Sequence, residues 1–118
     1  MTDKMSVDRG MSDKIAEIVD EYVKCADRDY IGLWQIIVHV RYQLKIFDQT
    51  ELKQAVLHIV RRLLGKGLEA VMLLRTGSAP RWENQDISYV LDRISQEWDA
   101  LGRDPNPGEI VWFDRKRS

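Results

Sequence analysis

Residues 48–74 read DQTELKQAVLHIVRRLLGKGLEAVMLL, and the fold turns on this stretch. Leu52, Ala55, Val56, Ile59, Val60, Leu63 and Leu64 recur at the spacing of one buried helix face. Asp48, with Glu51 three residues later, resembles a capping box, in which a side chain satisfies an orphan N–H of the first turn. Gly65-Lys66-Gly67 ends the helix, because glycine takes the left-handed cap conformation without steric cost. Residues 68–75 follow as a short apolar strand bounded by glycine.

Downstream, TGSAPRWENQ (residues 76–85) is a loop rich in turn formers. A further helix is expected from about Asp86, with Ile87, Val90, Leu91, Ile94, Trp98 and Leu101 as its stripe. Gly102 ends it, and the prolines at 105 and 107 forbid its continuation. Residues 109–114 read as a last strand, Ile110 and Trp112 facing one way, Val111 and Phe113 the other.

Upstream, a first helix is expected from Ser12 or Asp13 on the apolar series Ile15, Ile18, Val19, Tyr22, Val23, Ala26. Residues 1–11 are polar and aperiodic and read as a flexible leader. A turn at 27–29 leads to a second helix ending near Leu44, with Leu33, Trp34, Ile37, Val40 and Leu44 in its stripe. Arg41 lies within that stripe and snorkels. Ile36, Val38 and Tyr42 carry apolar surface round the helix, which reads as a central helix packed on several sides. The run Ile36-Ile37-Val38 also suits a buried strand, but the patterned segment is long for one.

The expected class is therefore α+β and mostly helical, in the order α-α-α-β-α-β. It is a single domain over residues 12–118, with a two-stranded sheet of open orientation beside a helical core. The 118 residues leave no room for a second domain. No apolar run is long enough for a membrane span and the N-terminal stretch has no signal-like core, so a cytoplasmic location is expected.

Chemistry-bearing patterns are sparse. His39 and His58 each sit alone among aliphatic residues, without metal-ligand spacing. Cys25 has no base near it in sequence and no second cysteine to pair with. No nucleophile elbow or paired carboxylate appears, and Gly65-Lys66-Gly67 lies at the wrong helix end to hold an anion. The expectation is no catalytic residue, no metal, no cofactor and no enzyme activity.

Charge and aromatics carry the remaining signal. The net charge is −1, against a dedicated nucleic-acid binder. Residues 30–80 nevertheless hold seven bases and three acids, and Arg61, Arg62 and Lys66 are the candidate phosphate contacts. Asp92, Glu97, Asp99 and Asp104 lie off the apolar stripe of the last helix and form a candidate acidic face for a protein partner. Either set also suits an ordinary solvated face. Trp34, Trp98 and Trp112 are expected in the core. Trp82, in a loop beside Arg81, reads either as an interface anchor or as a lid over the sheet.

Two resemblances add to this. The segment LHIVRRLLGKGLEAVMLL, residues 57–74, is similar to the recognition helix, glycine turn and wing strand of winged-helix domains. That likeness spans residues 30–75 and stops where a helix replaces the short hairpin; it implies a DNA-binding transcription regulator. ISQEWDALGRDPNPGEIVWFD, residues 94–114, together with Gly32-Leu33-Trp34, resembles small bacterial immunity proteins of polymorphic and contact-dependent toxin systems. That resemblance implies a binding protein that blocks a cognate toxin and carries over no residue; the candidate contacts, Trp82, Asp92, Glu97, Asp99 and Asp104, come from the acidic face and the loop tryptophan read above. The immunity reading leads and the regulator is the alternative.

Overall fold

The computed structural model describes the backbone of residues 2–116 and the side chains of residues 10–116. Seven elements follow one another: α1 (Thr2–Cys25), β1 (Ile31–Gly32), α2 (Leu33–Gln43), α3 (Gln49–Gly65), β2 (Leu68–Val71), α4 (Ile87–Leu101) and β3 (Trp112–Arg115). The class is α+β and mostly helical.

Local signals act where the sequence places them. The Asp48 carboxylate accepts the Glu51 N–H at 3.0 Å and starts α3, a cap that contributes about 0.5–2 kcal/mol. Asp86 does the same for Tyr89 and starts α4. Gly102 ends α4 at φ 69°, where a side chain would be strained. One side of each helix builds the core: Ile15, Ile18, Val19 and Tyr22 from α1, Leu33, Ile36, Ile37 and Val40 from α2, Leu52, Val56, Ile59, Val60 and Leu63 from α3, and Val90, Ile94 and Trp98 from α4.

The sheet departs from expectation. It has three strands, all antiparallel, in the order β1-β3-β2. Two residues carry no alternation, so β1 is invisible locally; it exists because Ile31 and Gly32 pair with Phe113 and Trp112. Phe113 lies between Ile31 and Ala70 across the inner face, all three buried. On the other face Trp34 and Trp112 lap over Gly32. A Cβ there would stand 2.6 Å from the Trp34 ring, so glycine is required by close approach. Trp34 and Trp112 are consequently half-buried rather than core.

β2 is shorter than the expected 68–75. After Val71 the chain turns back on itself: Met72 N–H donates to Pro80 O, Leu74 N–H to Ser78 O, and Val71 bridges Arg81. That return brings Trp82 N–H onto Ala70 O, and the Gln85 amide bonds both the N–H and the carbonyl of Ala70. A side chain thus closes the outer edge of β2, which would otherwise present unpaired backbone. α1 starts at Thr2, so the stretch expected as a flexible leader is helical from Thr2 onward. Met1 lies outside the described residues.

The turn between α4 and β3 is held by charge. Arg103 grips Glu109 in a two-nitrogen fork at 2.7 and 3.0 Å, and Asn106 N–H donates to the same carboxylate. The Arg103 guanidinium and that N–H bring the Glu109 pKa down from 4.5 to about 2. A depressed carboxylate stabilises the fold fully above its unfolded value and loses this contribution as pH falls through its folded value. Titrating the Glu109 carboxyl by NMR is therefore expected to give a midpoint near 2, and Arg103→Ala to move it back toward 4.5. A wild-type midpoint already near 4.5 would refute the clamp.

Candidate functional site

α2 has the sequence LWQIIVHVRYQ, with apolar residues on more of its circumference than its neighbours cover. Leu33, Ile36, Ile37 and Val40 are buried, but Val38 is 46% and Tyr42 65% exposed. The expectation of a helix packed on several sides is thus corrected: one flank faces solvent. Trp34, Val38 and Tyr42 follow one another at i, i+4 and i+8 along that flank.

α1 lies alongside and completes a groove. Two adjoining hollows, of about 420 and 380 Å³, share Glu21, His39 and Gln43 and run along the α1–α2 seam. The first holds Tyr22, Cys25, Trp34, Val38 and Tyr42; the second holds Lys14, Glu17 and Ile18. The floor is pinned. Tyr22 donates to the Gln35 carbonyl at 3.3 Å and is hydrogen-bonded to His39 Nδ1 at 3.0 Å, with the two rings edge-on. Burial, reinforced by Glu21 and Cys25, pushes the Tyr22 phenol above its ordinary value, so it stays a neutral donor. The Gln35 side chain accepts the Gly32 N–H at 2.7 Å and ties the start of α2 to β1. Tyr22, His39 and Gln35 are thus engaged with one another or with β1, Trp34 Nε1 is buried without a hydrogen-bond partner among the described residues, and Glu17 and Glu21 on the rim are exposed. They stand at i, i+4, where like charges repel.

The acidic residues expected to meet a partner are mostly used within the chain. Asp104 binds Arg41 at 2.5 Å and Gln49 at 2.6 Å, and receives Trp98 Nε1 at 3.3 Å. Asp99 pairs with Lys53 at 2.6 Å, and Glu97 with Arg93 at 2.7 Å. The first two pairs fasten α4 and the turn after it to α2 and α3. Only Asp92 of this set is exposed without an ion pair among the described residues. Trp82 is corrected outright as an anchor: it is 5% exposed, lies in the core, and carries the Arg93 guanidinium 3.9 Å above its ring. The backbone return to Ala70 turns the indole inward, which is the lid alternative.

The basic set is split: Arg62 and Lys66 stand at i, i+4 at the end of α3, and Arg61 points another way. Arg61 and Lys66 are exposed and Arg62 half-buried at the C-terminal end of α3. Adjacent helical residues diverge by roughly 100° around the axis, so Arg61 and Arg62 present different sides. Arg61 lines a shallow hollow with Gln54, Leu57, His58, Leu91 and Asp92, which sets an acid of α4 beside it. Among the described residues no group of three or more His, Cys, Asp or Glu could hold a metal ion. No helix there is long and apolar enough to cross a membrane.

Sequence reasoning missed the groove, although its signal was visible. The apolar excess of α2 through Val38 and Tyr42 fits equally a helix buried all round and one left open to a partner. Comparison with protein-family models, curated proteins and solved structures finds no match for the chain.

Proposed function

We propose that the chain is a non-enzymatic protein-binding module of the immunity type, which neutralises a cognate toxin by covering its active site. The observation that carries this reading is the uncovered apolar flank of α2, Trp34-Val38-Tyr42, bordered by carboxylates of α1. Val38 and Tyr42 in solvent beside half-buried Trp34, with carboxylates that have no ion pair among the described residues, form the pattern of a docking surface: apolar centre, charged rim. The rim would steer encounter with a basic partner and the centre would slow its release. Residence in the cytoplasm belongs to the same reading.

The test is co-expression with the product of the adjacent gene. A stoichiometric complex on co-purification, and protection of cells from that product, are expected. Absence of both removes the immunity reading.

A second reading has one observation in its favour. The order α1-β1-α2-α3-β2 with a β1-β3-β2 sheet, and an α3 that exposes Gln54, His58 and Arg61, resembles the layout of a winged-helix regulator. Against it, α4 sets Asp92 and Asp99 along α3, where phosphates would have to approach. Binding to random duplex DNA at physiological salt is expected to be no tighter than the generic ~10⁻⁴–10⁻⁶ M. Submicromolar, salt-steep binding that falls in Arg61→Ala/Arg62→Ala would put the regulator first.

A further inference from the structure

From the α1–α2 seam we infer that the groove takes a basic amphipathic helix of a partner protein, whose apolar stripe lies on Trp34, Val38 and Tyr42 and whose Lys or Arg side chains meet Glu17 and Glu21. The inference deepens the protein-binding reading and rests on it. Three features select this occupant. Both walls are helices, whose backbone groups bond internally, so no free strand edge is offered. An occupant must satisfy its own backbone, which a helix does and an extended peptide does not. The length fits, since the eleven residues of α2 span roughly 16 Å, about three turns of a partner helix. The charge fits as well. Glu17 and Glu21 are exposed and mutually repulsive, and the α2 side of the groove contributes only neutral Gln35, Gln43 and Tyr42 together with His39. Lys14 marks the N-terminal end of the groove and reverses the charge there, which favours one orientation of the incoming helix.

The experiment uses the full chain, ¹⁵N-labelled, and two synthetic helices of about 18 residues each, long enough for the seam. One carries a leucine stripe flanked by lysines, the other the same stripe flanked by glutamates. The lysine peptide is expected to bind saturably, with shifts confined to residues 14–25 and 34–43. The glutamate peptide should bind at least about tenfold more weakly, because its charges repel the rim. Glu17→Lys/Glu21→Lys should invert that preference, and Tyr42→Ala should weaken both peptides. All three positions are exposed, and unchanged thermal midpoints would show that the variants fold. Shifts centred on α3 or α4, equal affinity for the two peptides, or no binding would each overturn the inference. So would a dimer of the free chain that Tyr42→Ala dissociates, since a second copy would then be the occupant. A neighbouring-gene partner that binds a chain failing this test would leave the protein-binding reading intact and remove only this groove.

Discussion

Trp98→Ala is expected to destabilise the protein by about 3–5 kcal/mol, the cost of deleting a large buried aromatic and leaving a cavity. Trp98 is 3% exposed and lies in the same core as Val90 and Ile94 of α4. Its indole N–H also reaches Asp104, which gathers Arg41 and Gln49. Truncation therefore removes both the apolar anchor of α4 and one donor of the network that fastens the following turn. At ~4–8 °C per kcal/mol for a domain near this size, the thermal midpoint should fall by more than about 10 °C. Differential scanning calorimetry checks this. A fall of only a degree or two would show that α4 is not part of the cooperative core.

Arg81→Ala is the second large effect, and its origin is electrostatic. Asp114 is 1% exposed, a carboxylate held inside the sheet. Arg81 Nη2 stands 2.7 Å from it, while the same guanidinium reaches Glu69 at 3.3 Å and donates to the carbonyls of Ala79 and Arg115. Asp114 has further contacts, and this ion pair offsets part of its desolvation. Because Arg81 is a quarter exposed and Asp114 keeps other contacts, the loss is that of charge-assisted hydrogen bonds, about 1.5–3 kcal/mol, rather than that of a fully orphaned charge. The loss should show as a lower urea midpoint at unchanged slope. A double-mutant cycle separates the ion pair from simple truncation. Arg81→Ala combined with Asp114→Asn should be less destabilised than the two single changes added together, by on the order of 1 kcal/mol or more. Additivity would mean that Arg81 acts through its stem and backbone contacts alone.

The same arginine illustrates the reach of sequence reading. Nothing in TGSAPRWENQ distinguishes a cation bound for a buried aspartate from one in solvent, because Asp114 lies more than thirty residues away. Trp82 beside it posed two alternatives, and the backbone return to Ala70 selected the buried one. For the acids of α4 the residue types were legible and their use was not. Asp99 and Asp104 look like a free face until Lys53 and Arg41 arrive from other helices.

What the chain determines by itself is local. The helices, the caps at Asp48 and Asp86 and the stop at Gly102 follow from interactions within a few residues, so periodicity and capping chemistry reveal them; the last strand is shifted from the expected 109–114 to Trp112–Arg115 and buries Phe113 and Asp114 in succession, with Ile110 at φ 67° before it. What only the tertiary structure decides depends on partners distant in the chain. β1 exists through Phe113 and Trp112, and the antiparallel order β1-β3-β2 follows from where the helices carry the chain. Val38 and Tyr42 remain in solvent because none of the described residues covers that flank of α2. Hydrophobicity states that a side chain gains by leaving water, and only the completed packing shows whether the molecule itself supplies the cover.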